Sequence, residues 1–193
     1  MTRTGILLTT SAVTVGIALT AFIDMPKKLI WNASASVPLG LYKLTPFNHL
    51  RVGDRVAIDP PEALARFLAE RGYLPRGVPL LKTIAAVAGQ RVCRFASIII
   101  INGEAIGQAR EQDRLGRDLP LWQGCRRIGA DELFLMNTLV ADSFDGRYFG
   151  ITPITAVIGK ALPIWTNAAG RGPLDNPNTQ SFTTTTSTKE YRP

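Results

Sequence analysis

The hydrophobic pattern changes character several times along the chain. From Gly5 to Ile23 apolar and small residues run on without one charged side chain. At about 1.5 Å per residue such a helix approaches the ~30 Å depth of a bilayer's hydrocarbon core. Between residues 29 and 59 the apolar runs are short and broken by Pro38, Gly40, Pro46 and Gly53, the punctuation of strands and turns. From Pro61 to Gly72 the period becomes helical: Leu64, Phe67 and Leu68 share a face, with proline at the start and glycine at the stop. That predicts one short amphipathic helix. Pro79 to Val87 reads as a buried strand and Arg91 to Ile106 as a hairpin turning at Asn102-Gly103. Glu132 to Ala141 and Ile154 to Trp165 read as further β structure. After Ala168, Asn, Pro, Ser and Thr dominate, too polar to offset the entropy of ordering. The pattern therefore predicts an anchor over 1–28, one mainly β domain over 29–167 and a disordered polar tail over 168–193.

Composition adds bounds. With 46% hydrophobic residues in a chain of 193, one domain-sized core is expected. Lys and Arg outnumber Asp and Glu 22 to 15, a formal charge of +7, which suits an anionic membrane surface. The basic residues are scattered and not interleaved with aromatics in one stripe, so no nucleic-acid partner is expected. The apolar segment is read as a retained anchor; the alternative is a cleaved signal peptide with Leu19-Thr20-Ala21 as a weak small-residue site. Arg3 on one side and Lys27 and Lys28 on the other give the positive-inside rule no clean vote on orientation. Cys93 and Cys125 are the only two cysteines and His49 the only histidine, in no metal-ligand spacing. Neither a metal nor a cofactor is expected. An even pair of cysteines behind an export-competent segment reads as one disulfide in an oxidising compartment, against the alternative of two buried free thiols.

Candidate chemistry starts from that single histidine. His49 has no nucleophile motif beside it, so a Ser-His-Asp triad is a poor fit. A lysine can act as base if burial without a neutralising partner lowers its pKa from about 10.4 toward 7–8. Lys82 is a lysine stranded among aliphatics, from Pro79-Leu80-Leu81 to Thr83-Ile84-Ala85-Ala86-Val87. Taken alone, strand alternation would point it to solvent. A partner stands in Ser36-Val37-Pro38-Leu39-Gly40, where proline holds the preceding residue extended and glycine permits a sharp turn. As a bare motif this is an ordinary loop.

Four segments in one order carry more. The stretch Ser36 to Tyr42, then Gly53-Asp54, then Leu81-Lys82 before Ala85-Ala86-Val87-Ala88-Gly89, then Ser143-Phe144-Asp145-Gly146-Arg147-Tyr148-Phe149-Gly150 together resemble the type I signal peptidase family, most closely its TraF-type conjugative transfer peptidases. The resemblance covers about residues 5–165. It implies a β-rich catalytic domain held by one N-terminal transmembrane helix at the bacterial inner membrane, with the N-terminus inside and the domain in the periplasm. It implies Ser36 as nucleophile and Lys82 as general base. Ser34 matches an oxyanion-hole hydroxyl, Ser143 a serine that orients the lysine, and Asp145 and Arg147 an acid–base pair that the transfer peptidases depend on. Two positions apart, Asp145 and Arg147 would project from the same face of an extended strand. The apolar serine loop, Val37 and Pro38, is expected to line pockets for small side chains. Two positions depart from the usual pattern: Val37 stands where methionine is common, and Gly146 where serine is. The implied substrate is an exported preprotein or propilin, cut by water or cyclised by its own amino terminus. A general leader peptidase is the alternative of the same chemistry, and a non-catalytic envelope scaffold of a secretion apparatus the alternative of another class.

Overall fold

The computed structural model describes residues 2–20 and 28–167. The predicted tail, and residues 21–27 with the end of the predicted span, lie outside the described residues.

Helix α1 covers Arg3–Thr20. Three of its threonines bond back to the helix: Thr9 donates to the Gly5 carbonyl at 2.9 Å and Thr14 to that of Thr10 at 2.9 Å, while Thr10 donates to Ile6. Such back-bonding lets a hydroxyl sit in an apolar helix. Among the described residues no helix is long and apolar enough to cross a membrane.

The domain that follows is mainly β and antiparallel throughout. Strands β1 (Leu29–Asn32), β2 (Gly40–Thr45), β3 (Arg55–Ile58), β4 (Leu80–Ala86), β9 (Glu132–Leu135), β10 (Ile151–Pro153) and β11 (Val157–Thr166) form one sheet of seven, in the order β1-β2-β11-β3-β4-β9-β10. Strands β5 (Arg91–Phe95), β6 (Ile98–Ile101), β7 (Glu104–Gln108) and β8 (Gly124–Arg127) form a second sheet, ordered β7-β6-β5-β8.

The predicted hairpin over Arg91 to Ile106 is two consecutive hairpins. The chain turns at Asn102-Gly103 as expected, with φ of 51° and 94°, the left-handed pair that a two-residue turn requires. It also turns at Ala96, whose φ is 52° and whose N–H and C=O are both held by the Gln123 amide. No glycine marks that turn, which is why the pattern missed it. Strand β8 pairs with β5 so that Cys93 stands opposite Cys125, and the two form a disulfide.

Helix α2 (Glu62–Glu70) follows Pro61 and closes at Gly72, where Gly72 N–H bonds Ala69 O and Tyr73 N–H bonds Leu68 O. This is a Schellman closure, and it needs the positive φ of 68° that Gly72 supplies. Leu68, the buried residue of the helix, packs with Val56, Ile58, Leu80, Ile84, Leu133 and Leu135. A second cluster, around Val92, Ile99, Ile101, Ile128 and Phe134, joins residues of the two sheets. A third gathers Val37, Tyr42, Leu44, Ala57, Leu81 and Ala161. Strand β4 contributes to all three, so alternation leaves none of its side chains fully exposed: Leu80, Leu81 and Lys82 are buried, and Thr83 and Ala85 half-buried.

Candidate active site

Lys82 occupies the third position of β4, opposite Val56 of β3. It shares its face of the strand with Leu80 and Ile84 and is 2% exposed. Among the described residues no carboxylate lies within ion-pair distance of its amine. Burial lowers its pKa from 10.5 to about 8, opposed by the Asp145 charge and helped by that of Arg147. Its Nζ donates to Ser143 Oγ at 3.0 Å.

Ser143 is set in the connection between β9 and helix α3 (Gly146–Phe149), and three buried groups shape that connection. The Asn137 side chain accepts from Thr83 N–H at 2.9 Å, next to Lys82, and donates to Ser143 Oγ at 3.3 Å. Asn137 thus ties the loop to the strand and meets the same oxygen as Lys82. Asp145 caps α3 by accepting from the N–H of Arg147, and its other oxygen accepts from Asn137 N–H at 3.0 Å. The Arg147 guanidinium, 1% exposed, pairs with Asp145 at 2.9 Å. Its remaining donors reach the carbonyls of Gln108, Asn137, Val140, Ala141 and Ser143. One planar cation therefore fixes the path of the loop that presents Ser143. Arg94, itself buried, donates to the Arg147 carbonyl. Gly146 permits the approach, since a Cβ there would come within 2.6 Å of Leu135 O.

The serine loop joins β1 to β2. Asn32, at the end of β1, is 6% exposed, and its Nδ2 donates to the carbonyls of Ser34, Val37 and Pro38 at 2.8–3.1 Å. Its Oδ1 accepts from both the N–H and the Oγ of Ser34. The Tyr42 hydroxyl, on a ring with no exposed surface, donates to Pro38 O at 2.7 Å. Ser34 Oγ lies 3.0 Å from Ser36 Oγ. With its single proton directed to Asn32, Ser34 accepts from Ser36, forming a relay Ser36 to Ser34 to Asn32.

The two halves meet across a cleft of about 680 Å³ whose lining includes Ser34, Ser36, Lys82 and Ser143. Ser34, Ser36, Lys82 and Ser143 therefore line one cleft, and Asp145 and Arg147 stand on the loop behind it. Two expectations need correction. Val37 and Pro38 do not line the cleft; Val37 is 5% exposed and packs on Tyr42 and Leu81, because the Asn32 amide pulls the loop's carbonyls inward and its apolar side chain goes with them. Asp145 and Arg147 do not project from one face of a strand either, since residues 146–149 are helical and Asp145 is their cap. Asn32, Asn137 and Arg94 carry no motif in the sequence, and Tyr42 stands there only as the end of the serine segment. The two asparagines carried a signal, each standing at the end of an apolar run that enters a loop.

The region that holds this site matches a known family. Residues 1–166 fit the family described as "Signal peptidase, peptidase S26". This chain belongs to that family. A "Probable conjugal transfer protein TraF" of Sinorhizobium fredii is 32% identical over 145 residues, 71% of this chain and 77% of its own length. A "Conjugal transfer protein TraF" of Agrobacterium tumefaciens is 30% identical over 143 residues, 70% of this chain and 81% of its own. An Escherichia coli "Plasmid transfer protein TraF" is 33% identical over 130 residues, covering 62% and 72% of the two chains. A crystal structure of a signal peptidase I from Enterococcus faecalis V583 aligns over 60% of this chain and 98% of its own, at 16% identity and a TM-score of 0.37, too slight a likeness to carry an argument. Among the described residues no cluster of three His, Cys, Asp or Glu side chains could hold a metal ion.

Proposed function

We propose that this member of the signal peptidase family is a membrane-anchored serine endopeptidase in which Ser36 attacks the scissile carbonyl and Lys82 takes its proton. The observation that carries the reading is a lysine that is 2% exposed, unpaired by any described carboxylate, and fixed by Ser143 on the wall of a cleft that also holds Ser36. A pKa of about 8 leaves roughly a tenth of the amines neutral at pH 7, against well under a thousandth for an ordinary lysine. Burial therefore supplies the base.

In the first step the Ser36 hydroxyl leaves its bond to Ser34, gives its proton to neutral Lys82, and its oxygen forms a bond to the carbonyl carbon. Ser34, no longer accepting from Ser36, turns its one proton from Asn32 toward the oxygen that becomes negative. Collapse breaks the peptide bond, the leaving amine takes the proton from Lys82, and an acyl-serine remains. Water, or the substrate's own amino group, then attacks the ester through the same base. The first outcome is cleavage and the second a cyclic peptide.

Similarity to proteins named for conjugal and plasmid transfer supports an exported pilin-type preprotein as substrate. For location, the reading is a single-pass protein with its N-terminus inside and its domain on the periplasmic side. The Cys93–Cys125 disulfide supports the oxidising side. So does an exposed aromatic pair: Trp31 of β1 and Trp165 of β11 stack at 5.7 Å with Leu29 and Leu162 exposed nearby, as suits an interface of water and lipid.

The test is co-expression with a candidate propilin and intact-mass measurement of the product, since cleavage and cyclisation differ by one water. Processing should stop in Ser36→Ala and in Lys82→Arg, whose guanidinium does not deprotonate. Processing that persists in either variant would remove that residue from the mechanism, and persistence in both would favour a scaffold role.

A further inference from the structure

Charge in the cleft is not evenly spread. Its lining includes Arg71, Arg110, Arg114 and Arg117, against Asp113 and Asp142. Arg117 is matched by Asp113 at 2.7 Å. Arg71 donates to a carbonyl, that of Asp118, and lies over the Phe67 ring. Arg110 and Arg114 share one anion: both reach Asp142, at 2.6 and 2.5 Å, while their side chains stay 53% and 80% exposed. Two guanidinium forks on one carboxylate leave donors open to the cleft. The facing residues Ser34, Ala35 and Ser36 carry no charge.

Arg110 is also anchored at its backbone. Arg110 N–H donates to the Tyr148 hydroxyl of α3 at 3.0 Å, and Asp142 directly precedes Ser143. The cationic wall is thus part of the same loop assembly that positions Lys82. A charged wall beside a low-dielectric cleft focuses its field on whatever enters.

We infer that the cleft selects peptide substrates carrying a carboxylate close to the scissile bond, with Arg110 and Arg114 as the specificity-determining residues. The inference rests on the peptidase reading and deepens it. The carboxylate comes either from an Asp or Glu side chain or from a free C-terminus a few residues beyond the cut; both offer the same planar acceptor pair to a guanidinium.

The experiment uses the full chain in neutral detergent with peptides of one small-x-small sequence. One pair differs as free acid against C-terminal amide, a second as Glu against Gln beside the cut. The reading is the ratio of kcat/KM within each pair, which cancels any loss of folded enzyme. Wild type should prefer the carboxylate by roughly tenfold in at least one pair, with the preference shrinking at about 0.5 M salt. In Arg110→Ala/Arg114→Ala the ratio should fall close to one. Asp142→Asn, which releases both arginines, should raise it. The pair that shows the preference names the source of the carboxylate. Equal rates within both pairs for wild type, or a preference that survives in the double variant, overturn the inference while leaving the peptidase reading intact. The opposite failure is separable by measuring binding of the same labelled peptides to Ser36→Ala by fluorescence anisotropy. Carboxylate-dependent binding without any turnover by wild type would sink the peptidase reading and keep the selectivity of the cleft.

Discussion

Lys82 Nζ and Ser143 Oγ, 3.0 Å apart and sixty-one residues apart in the chain, are both buried, and the Asn137 amide reaches the same oxygen at 3.3 Å. The amine thus has a fixed place without a counter-ion among the described residues. Position comes from neutral hydrogen bonds, and the depressed pKa from exclusion of water. A carboxylate in place of Ser143 would hold the amine equally well and would keep it protonated.

The first prediction follows from that pKa. In the proposed mechanism the active form carries neutral Lys82, so kcat/KM for a peptide should rise about tenfold per pH unit below a midpoint near 8 and level off above it. A rate profile from about pH 6 to 9.5 checks this. A flat profile through that window would exclude Lys82 as base.

Stability should respond in the same direction. Between about 8 and 10.5 the unfolded chain holds a proton on Lys82 that the native state has released, so stability rises with pH through that window. Lys82→Met removes the buried cation while keeping most of its volume. The variant should be inactive, more stable near pH 7 by about 1–4 kcal/mol, and without the rise. Urea unfolding at about pH 7.5 and 9.5 reads both effects; a Met variant markedly less stable than wild type contradicts the account.

Asp145 and Arg147 form a fully buried pair, and each also bonds backbone groups of the Ser143 loop. Breaking such a pair from one side leaves an uncompensated charge, at a typical cost of about 3–5 kcal/mol. Asp145→Asn and Arg147→Ala should therefore lose stability and activity together. Melting temperature and processing rate measured on the same samples decide the point. Lost activity at unchanged stability would make Asp145 a direct participant in the chemistry.

The disulfide closes a loop spanning 32 positions between β5 and β8. Replacing both cysteines by alanine should cost about 3–4 kcal/mol, largely through a freer unfolded chain. Denaturant titration of the oxidised protein against the double variant measures it, and a difference under about 1 kcal/mol would show that β8 is held by its other contacts.

Much of this protein was legible in one dimension because the deciding information was local. An uncharged run, a Pro-to-Gly amphipathic stretch and an Asn-Gly pair each specify an element from adjacent residues, and α1, α2 and the β6–β7 turn stand where those signals put them. The order of the serine loop, the strand lysine and the Asp-x-Arg segment pointed to the family before any geometry was known. Three matters were decided only by tertiary packing. Lys82 could be read as facing solvent or core, because alternation specifies a side of the strand and not what covers it; Leu68 of α2, packed with Leu80 and Ile84, and the loop that carries Ser143 cover that side. Val37 reads as a pocket residue in the sequence, whereas the Asn32 amide, which bonds carbonyls up to six positions away, turns it inward. Arg94 had no motif to announce it, and the position of Asn137 at the end of an apolar run did not name its partner Thr83; the Asn137–Thr83 and Arg94–Arg147 bonds span more than fifty residues each. Local sequence chose the elements and the reactive side chains; the closing of the two sheets and the buried arginine loop set the dielectric and the distances between them.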